Sequence, residues 1–160
     1  MRKAVFLGAL PPFLLKTADN PGGVDNKVFE GLKKAIIADR PAFLAEFFKN
    51  FYNVGVLGGT LISDQVVQLS WNVATGASAK GTLDCVSSWL TDFRKDLLRV
   101  DLPSLVMHGD ADRILPIGST AIPLSKAIKG SRLVVVKDGP HAINWTHGDQ
   151  VNTELVKFLG

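Results

Sequence analysis

Three short segments of the chain are apolar without interruption, and between them apolar residues recur every three or four positions. Ala4-Val5-Phe6-Leu7-Gly8-Ala9-Leu10 is the first, stopped by Pro11-Pro12. Ser104-Leu105-Val106-Met107-His108 is the second, introduced by Pro103 and closed by Gly109-Asp110; Leu133-Val134-Val135-Val136 is the third, ended by Lys137-Asp138-Gly139-Pro140. Continuous apolar runs of strand length are what a parallel sheet covered on both faces requires. Between the second and third runs, Ser119 to Lys129 holds Ala121, Leu124, Ala127 and Ile128 at helical spacing, which predicts a strand, a crossover helix and a parallel strand. The tail from Thr146 to Leu159 carries Val151, Leu155 and Phe158 on one face, and Thr146 with Asp149 reads as a capping box opening a final helix.

The stretch from Asp19 to Leu98 lacks strand-like runs and reads as a helical insertion. Val28, Leu32 and Ile36 mark one helix; Pro41 at a first-turn position opens another with Phe43, Phe47 and Phe51 on a face; Ser63-Asp64 opens a third holding Val66, Val67 and Trp71. A fourth spans Thr82 to Leu90, and Asn20-Pro21-Gly22-Gly23 and Gly55 to Thr60 form the joints. Short helices rich in Phe and Trp between two parallel strands suggest a cap over the end of a sheet, where open α/β folds bind ligands. The expected organisation is an α/β core of residues 1–18 and 99–160 with a helical cap of 19–98. Phe13, Phe47, Trp71 and Trp145 are candidate substrate-pocket residues, against the alternative that each aromatic is simply core.

Composition narrows the class. Of 160 residues, 46% are hydrophobic and 21% charged, which excludes a disordered chain. The net charge is +3 with no basic block longer than Lys33-Lys34, so nucleic acid has no footprint despite a pI near 9.1. The run from Ala4 to Leu15 is broken by glycine and proline and is too short to span a bilayer, and nothing after it resembles a secretory cleavage site. The single cysteine, Cys85, allows no internal disulfide, and a cytoplasmic location is expected. No Gly-x-Gly-x-x-Gly or Walker pattern points to a nucleotide cofactor.

Two residues carry the chemical argument. Asp112 lies just beyond the second apolar run and His141 just beyond the third, 29 positions apart. Loops at the carboxyl ends of neighbouring parallel strands would bring them together. A carboxylate bonded to imidazole Nδ1–H fixes the tautomer and lets the other nitrogen act as a base toward a hydroxyl. Alternatively Asp112 only caps a helix and His141 only ends a strand. A metal cluster of His108, Asp110, Asp112 and His141 is disfavoured, because the two aspartates alternate in one turn and no third histidine is placed nearby. His147 reads as a solvent-facing or capping residue at the start of the last helix. The chain offers no nucleophile. Ser78, in Gly76-Ala77-Ser78-Ala79-Lys80-Gly81, has no strand before it; Ser87 and Ser88 lie in a helical stretch; Ser104 opens a strand; and Cys85 reads as an inert buried thiol of the cap.

The same residues resemble the cofactor-free bacterial haloperoxidases and aryl esterases of the α/β-hydrolase superfamily, the non-haem chloroperoxidases and bromoperoxidases. The resemblance rests on Phe13-Leu14-Leu15-Lys16-Thr17 with Asp19-Asn20-Pro21, on Thr91-Asp92-Phe93-Arg94 and on Val100-Asp101-Leu102-Pro103. It continues through His108-Gly109-Asp110-Ala111-Asp112 with Pro116, Gly139-Pro140-His141, and Trp145-Thr146-His147 with Val151-Asn152. It runs through the whole chain but covers only the family's carboxyl-terminal portion. It implies the carboxyl-terminal part of an α/β-hydrolase fold, with about three parallel strands, flanking helices and a helical cap. Asp112 would be the triad acid and His141 its base, with the serine and oxyanion hole lying before Met1. The implied activity is ester hydrolysis, or peracid formation from a carboxylic acid or ester with hydrogen peroxide, using no haem, metal or other cofactor. Three readings stay open: a hydrolase fragment, half of a two-chain enzyme, or a non-catalytic binding module. The first strand, without charge or proline between Val5 and Leu10, would expose an unpaired edge. Such an edge recruits the missing half or a second copy, or causes aggregation.

Overall fold

Three strands, β1 (Ala4–Leu7), β2 (Ser104–Gly109) and β3 (Arg132–Val136), form one parallel sheet in the order β1-β2-β3. In the computed structural model, residues 2–10 and 12–160 are described; the stop expected at Pro11 lies outside them. β1 ends at Leu7, earlier than the apolar run does, because Gly8 adopts φ +53°, a conformation that leaves the strand. All six residues of the central β2 are buried. Alternation of side chains sends them to opposite faces. Val106 packs with Leu97, Ala121, Leu124 and Ile128, joined by Phe6 and Leu133, on one face. Leu105 and Met107 pack with Val136, Ile143 and Val151, joined by Val5 and Val134, on the other. The continuous apolar runs are thus explained by helices on both sides.

The helices are α1 (Asn26–Phe51), α2 (Val54–Leu57), α3 (Asp64–Thr75), α4 (Ala79–Ser88), α5 (Arg94–Leu97), α6 (Ala121–Ala127), α7 (Ile143–Thr146) and α8 (Gly148–Leu159). They fall in two compact units: Met1–Phe13 with Asp92–Gly160, and Leu14–Thr91. In the second unit the two helices expected around Pro41 are one element with a kink. Asp39 is non-helical (φ −158°, ψ 88°), and its carboxylate accepts the Ala42 N–H, capping the segment that Pro41 opens. Ser63 caps α3 and Ser78 caps α4 through side-chain bonds to Val66 N–H and Gly81 N–H. The joint expected at Gly55 to Thr60 is partly the short α2.

Two expectations are corrected. Thr146 does not open the last helix. It closes α7, where its hydroxyl donates to Ala142 O, and α8 starts after His147 without a side-chain cap. Cys85 is exposed on α4 rather than buried. In the first unit, α8 is fastened to the chain start: Lys3 Nζ donates to Phe158 O at 2.6 Å and Leu159 O at 3.2 Å, and lies 5.5 Å from the Phe158 ring. This places a cation on the orphaned carbonyls of a helix end. No helix of the described residues is long and apolar enough to cross a membrane.

Candidate active site

Three chain segments leave the carboxyl end of the sheet side by side. Gly8 follows β1, the turn holding Asp112 follows β2, and Gly139-Pro140-His141 follows β3. The last two are drawn together by Gly109. A Cβ there would fall 2.0 Å from Gly139 O and 2.7 Å from Pro140 O, so only glycine lets the loops approach this closely. Ala111 N–H to Gly139 O (3.1 Å) and Asp138 N–H to Asp110 Oδ1 (2.6 Å) tie them. Gly8 lies against the His141 ring, where an added Cβ would stand 3.5 Å from Cε1.

This framework brings Asp112 and His141 together, with His141 Nδ1 at 2.8 Å from Asp112 Oδ2. Because a carboxylate only accepts, Nδ1 carries the proton. Asp112 is 6% exposed. Its Oδ1 accepts the N–H groups of Ile114 and Leu115, each at 2.8 Å, so the turn that follows β2 clamps one oxygen and leaves the other facing the histidine. Burial pushes the Asp112 carboxyl up. Hydrogen bonds from His108 and His141, and the Leu115 amide, outweigh it and hold the group well below the usual carboxylate range. The carboxylate is therefore ionised at neutral pH, as stabilising an imidazolium requires.

His108 was not expected in this role. It is fully buried in β2, with Nε2 at 3.0 Å from Asp112 Oδ2 and 2.7 Å from Leu115 O. A polar residue inside an otherwise apolar central strand was the signal in the sequence. Among the described residues no group of three or more His, Cys, Asp or Glu is placed to hold a metal ion.

The other candidates lie each within its own unit. In the first unit, Phe13 is buried with the Arg94 guanidinium 4.9 Å from its ring centre, and Trp145 on α7 is exposed. In the second unit Phe47 belongs to an aromatic row on α1, its ring 5.5–6.0 Å from those of Phe43, Phe48 and Phe51. Trp71 donates Nε1–H to Pro41 O and lines an open groove of about 560 Å³ with Pro41, Phe48, Lys49 and Val67. Phe47 is not among the residues lining that groove. Ser78 is committed to capping α4, Ser87 and Ser88 lie in that helix, and Ser104 is buried in β2 with its hydroxyl on Leu102 O. His147 holds the N-cap position of α8 with Nδ1 at 2.8 Å from Thr146 Oγ1.

The family described as alpha/beta hydrolase fold matches residues 1–148. A Synechocystis sp. protein whose name places it with the non-heme chloroperoxidases is 64% identical over 99% of the chain, which covers 58% of that relative. The bifunctional esterase/perhydrolase of Acinetobacter calcoaceticus is 28% identical over 98% of the chain and 57% of its own length. The solved bromoperoxidase of Bacillus anthracis superposes with a TM-score of 0.93 at 42% identity, over 99% of this chain and 58% of that one. The chain thus spans a little over half the length of these proteins.

Proposed function

The chain belongs to the alpha/beta hydrolase fold family, and on that premise we propose that it is the carboxyl-terminal portion of a serine esterase and perhydrolase. It would supply Asp112 and His141, while polypeptide outside these 160 residues supplies the serine and the oxyanion donors. The observation that carries this reading is the 2.8 Å bond between His141 Nδ1 and an ionised, buried Asp112, held at the ends of adjacent strands. With Nδ1–H engaged, Nε2 is the nitrogen that receives a proton.

The serine hydroxyl passes its proton to His141 Nε2 as Oγ bonds to the ester carbonyl carbon, and Asp112 stabilises the imidazolium. The imidazolium returns that proton to the departing alkoxide, leaving an acyl-enzyme. Water gives a proton to His141 Nε2 as its oxygen bonds to the acyl carbon, and serine Oγ leaves and takes that proton back, releasing a carboxylic acid; hydrogen peroxide in place of water releases a peracid, which in solution passes an oxygen to halide, giving hypohalite and the carboxylic acid. Each step on the enzyme is proton or acyl transfer and calls on no cofactor. The partners are a small ester or carboxylic acid with peroxide, and the complementary part of the enzyme. Hydrolysis of p-nitrophenyl acetate tests the reading. The isolated chain should show no turnover, and addition of the amino-terminal portion of a family relative should restore it. His141→Ala should then remove it. Restored activity that survives His141→Ala overturns the proposal.

A further inference from the structure

The buried imidazole of His108 stands at this site, and the steps above leave it unused. Both atoms facing its Nε2, Leu115 O at 2.7 Å and Asp112 Oδ2 at 3.0 Å, are acceptors, so Nε2 carries a proton. Among the described residues its Nδ1 is buried without a hydrogen-bond partner. The structure thus gives a proton on Nε2 two acceptors and a proton on Nδ1 none among the described residues. Asp110 cannot substitute for it, because that exposed carboxylate is turned to the Asp138 amide.

Asp112 consequently meets four donors: two backbone N–H groups at Oδ1 and two imidazole N–H groups at Oδ2. A carboxylate has about four acceptor sites, so this one is filled and cannot swing toward solvent. We propose that His108 is a positioning residue that shares Asp112 Oδ2 with His141 and so aims the carboxylate at the catalytic imidazole. A strand-borne donor suits this task better than one on a loop, since β2 is the most buried element of the sheet. It also explains why a polar ring interrupts an apolar strand whose neighbour on that face, Val106, is packed in the core. The inference rests on the reading of Asp112 and His141 as acid and base. Its test needs no turnover, so failure of the esterase assay and failure here are separate results.

Nuclear magnetic resonance on the 160-residue chain, with histidine ring nitrogens and aspartate carboxyl carbons labelled, gives the test. In the parent protein His108 should carry a proton on Nε2, and His141 should show the Nδ1–H pattern with a strongly downfield proton. A His108 ring with no proton on Nε2 overturns the proposal without any variant. His108→Gln puts an amide donor where Nε2 stood, and should keep the downfield proton and the low Asp112 titration. His108→Leu should lose or broaden that proton and raise the Asp112 midpoint by about one pH unit or more, the size expected for a hydrogen bond to a charged group. His108→Asn, whose donor falls at the Nδ1 position, should behave like the leucine variant. If folded His108→Leu keeps both signatures of the parent, His108 is only packing.

Discussion

Gly109→Ala is the sharpest structural perturbation of the site, because its target is backbone. The added methyl would stand 2.0 Å from Gly139 O, 2.5 Å from Gly139 C and 2.7 Å from Pro140 O, where contacts under 3.0 Å essentially do not occur. The 139–140 segment must therefore retreat by roughly 1 Å or more, since close-packed interiors hold no slack to absorb the methyl. Gly139 is bound on both sides, by its own N–H to Val136 O (3.2 Å) and by the Ala111 N–H to its carbonyl (3.1 Å). Overpacking costs about 1–3 kcal/mol, and the strained Ala111 bond adds about 1 kcal/mol, so the loss is on the order of 3 kcal/mol. For a chain of this length that is a fall in Tm of about 6–12 °C. Urea unfolding followed by circular dichroism reads the loss. Gly118→Ala, where an added Cβ meets nothing within 4 Å, serves as the control and should stay within about 0.5 kcal/mol of the parent. A Gly109→Ala protein as stable as that control would refute the close approach of the two loops.

Further outcomes follow from other contacts. Asp112→Asn should cost about 2 kcal/mol at neutral pH. The carboxyl is depressed in the folded state, so its contribution is present above the ordinary value of 3.8 and is lost as pH falls through the lower folded value; the gap between the two proteins should close in acid, and a gap independent of pH would contradict the assignment. Lys3→Met should weaken α8 by about 0.5–1 kcal/mol and speed amide exchange in its last turn, without touching the Asp112–His141 bond. β1 turns the N–H groups of Ala4 and Gly8 toward β2, whose Pro103 and Met107 carbonyls accept them at 3.0 Å, so by alternation those of Val5 and Leu7 face the other way. In the isolated chain at low concentration, Val5 and Leu7 should exchange faster than Gly8, and gain protection when the complementary portion is added. Equal slow exchange would mean that this edge is already covered.

Much of the α/β core was legible because its strands are buried on both faces and so needed unbroken apolar runs, as in Leu105 to Met107. Asp112 and His141 could be placed because strand ends fix where the following turns emerge. What escaped is what depends on tertiary approach. His108 lies inside the motif that marked Asp112, yet only the fold shows that its ring reaches the same carboxylate oxygen. Gly109 looked like a strand stop, and its need for a bare Cα appears only when the β3 loop is beside it. The last helix splits at His147-Gly148 because the Thr146 hydroxyl bonds back to Ala142, a choice as local as the capping box it displaced. Cys85 is exposed because its place on α4 turns it away from the packed side that Val86 occupies, which a lone apolar thiol in a helical stretch does not reveal.

On the proposed reading this chain brings the acid and the base, and the nucleophile comes from elsewhere. An active-site-directed fluorophosphonate tests it most directly, applied first to the isolated chain and then to the chain reassembled with the amino-terminal portion of a relative, with the labelled peptide identified by mass spectrometry. No label is expected on the isolated chain. In the reassembled protein one label is expected, on a serine of the added portion, lost when His141 is replaced by alanine. Stoichiometric labelling of the isolated chain at Ser78, Ser87 or Ser88 would contradict it.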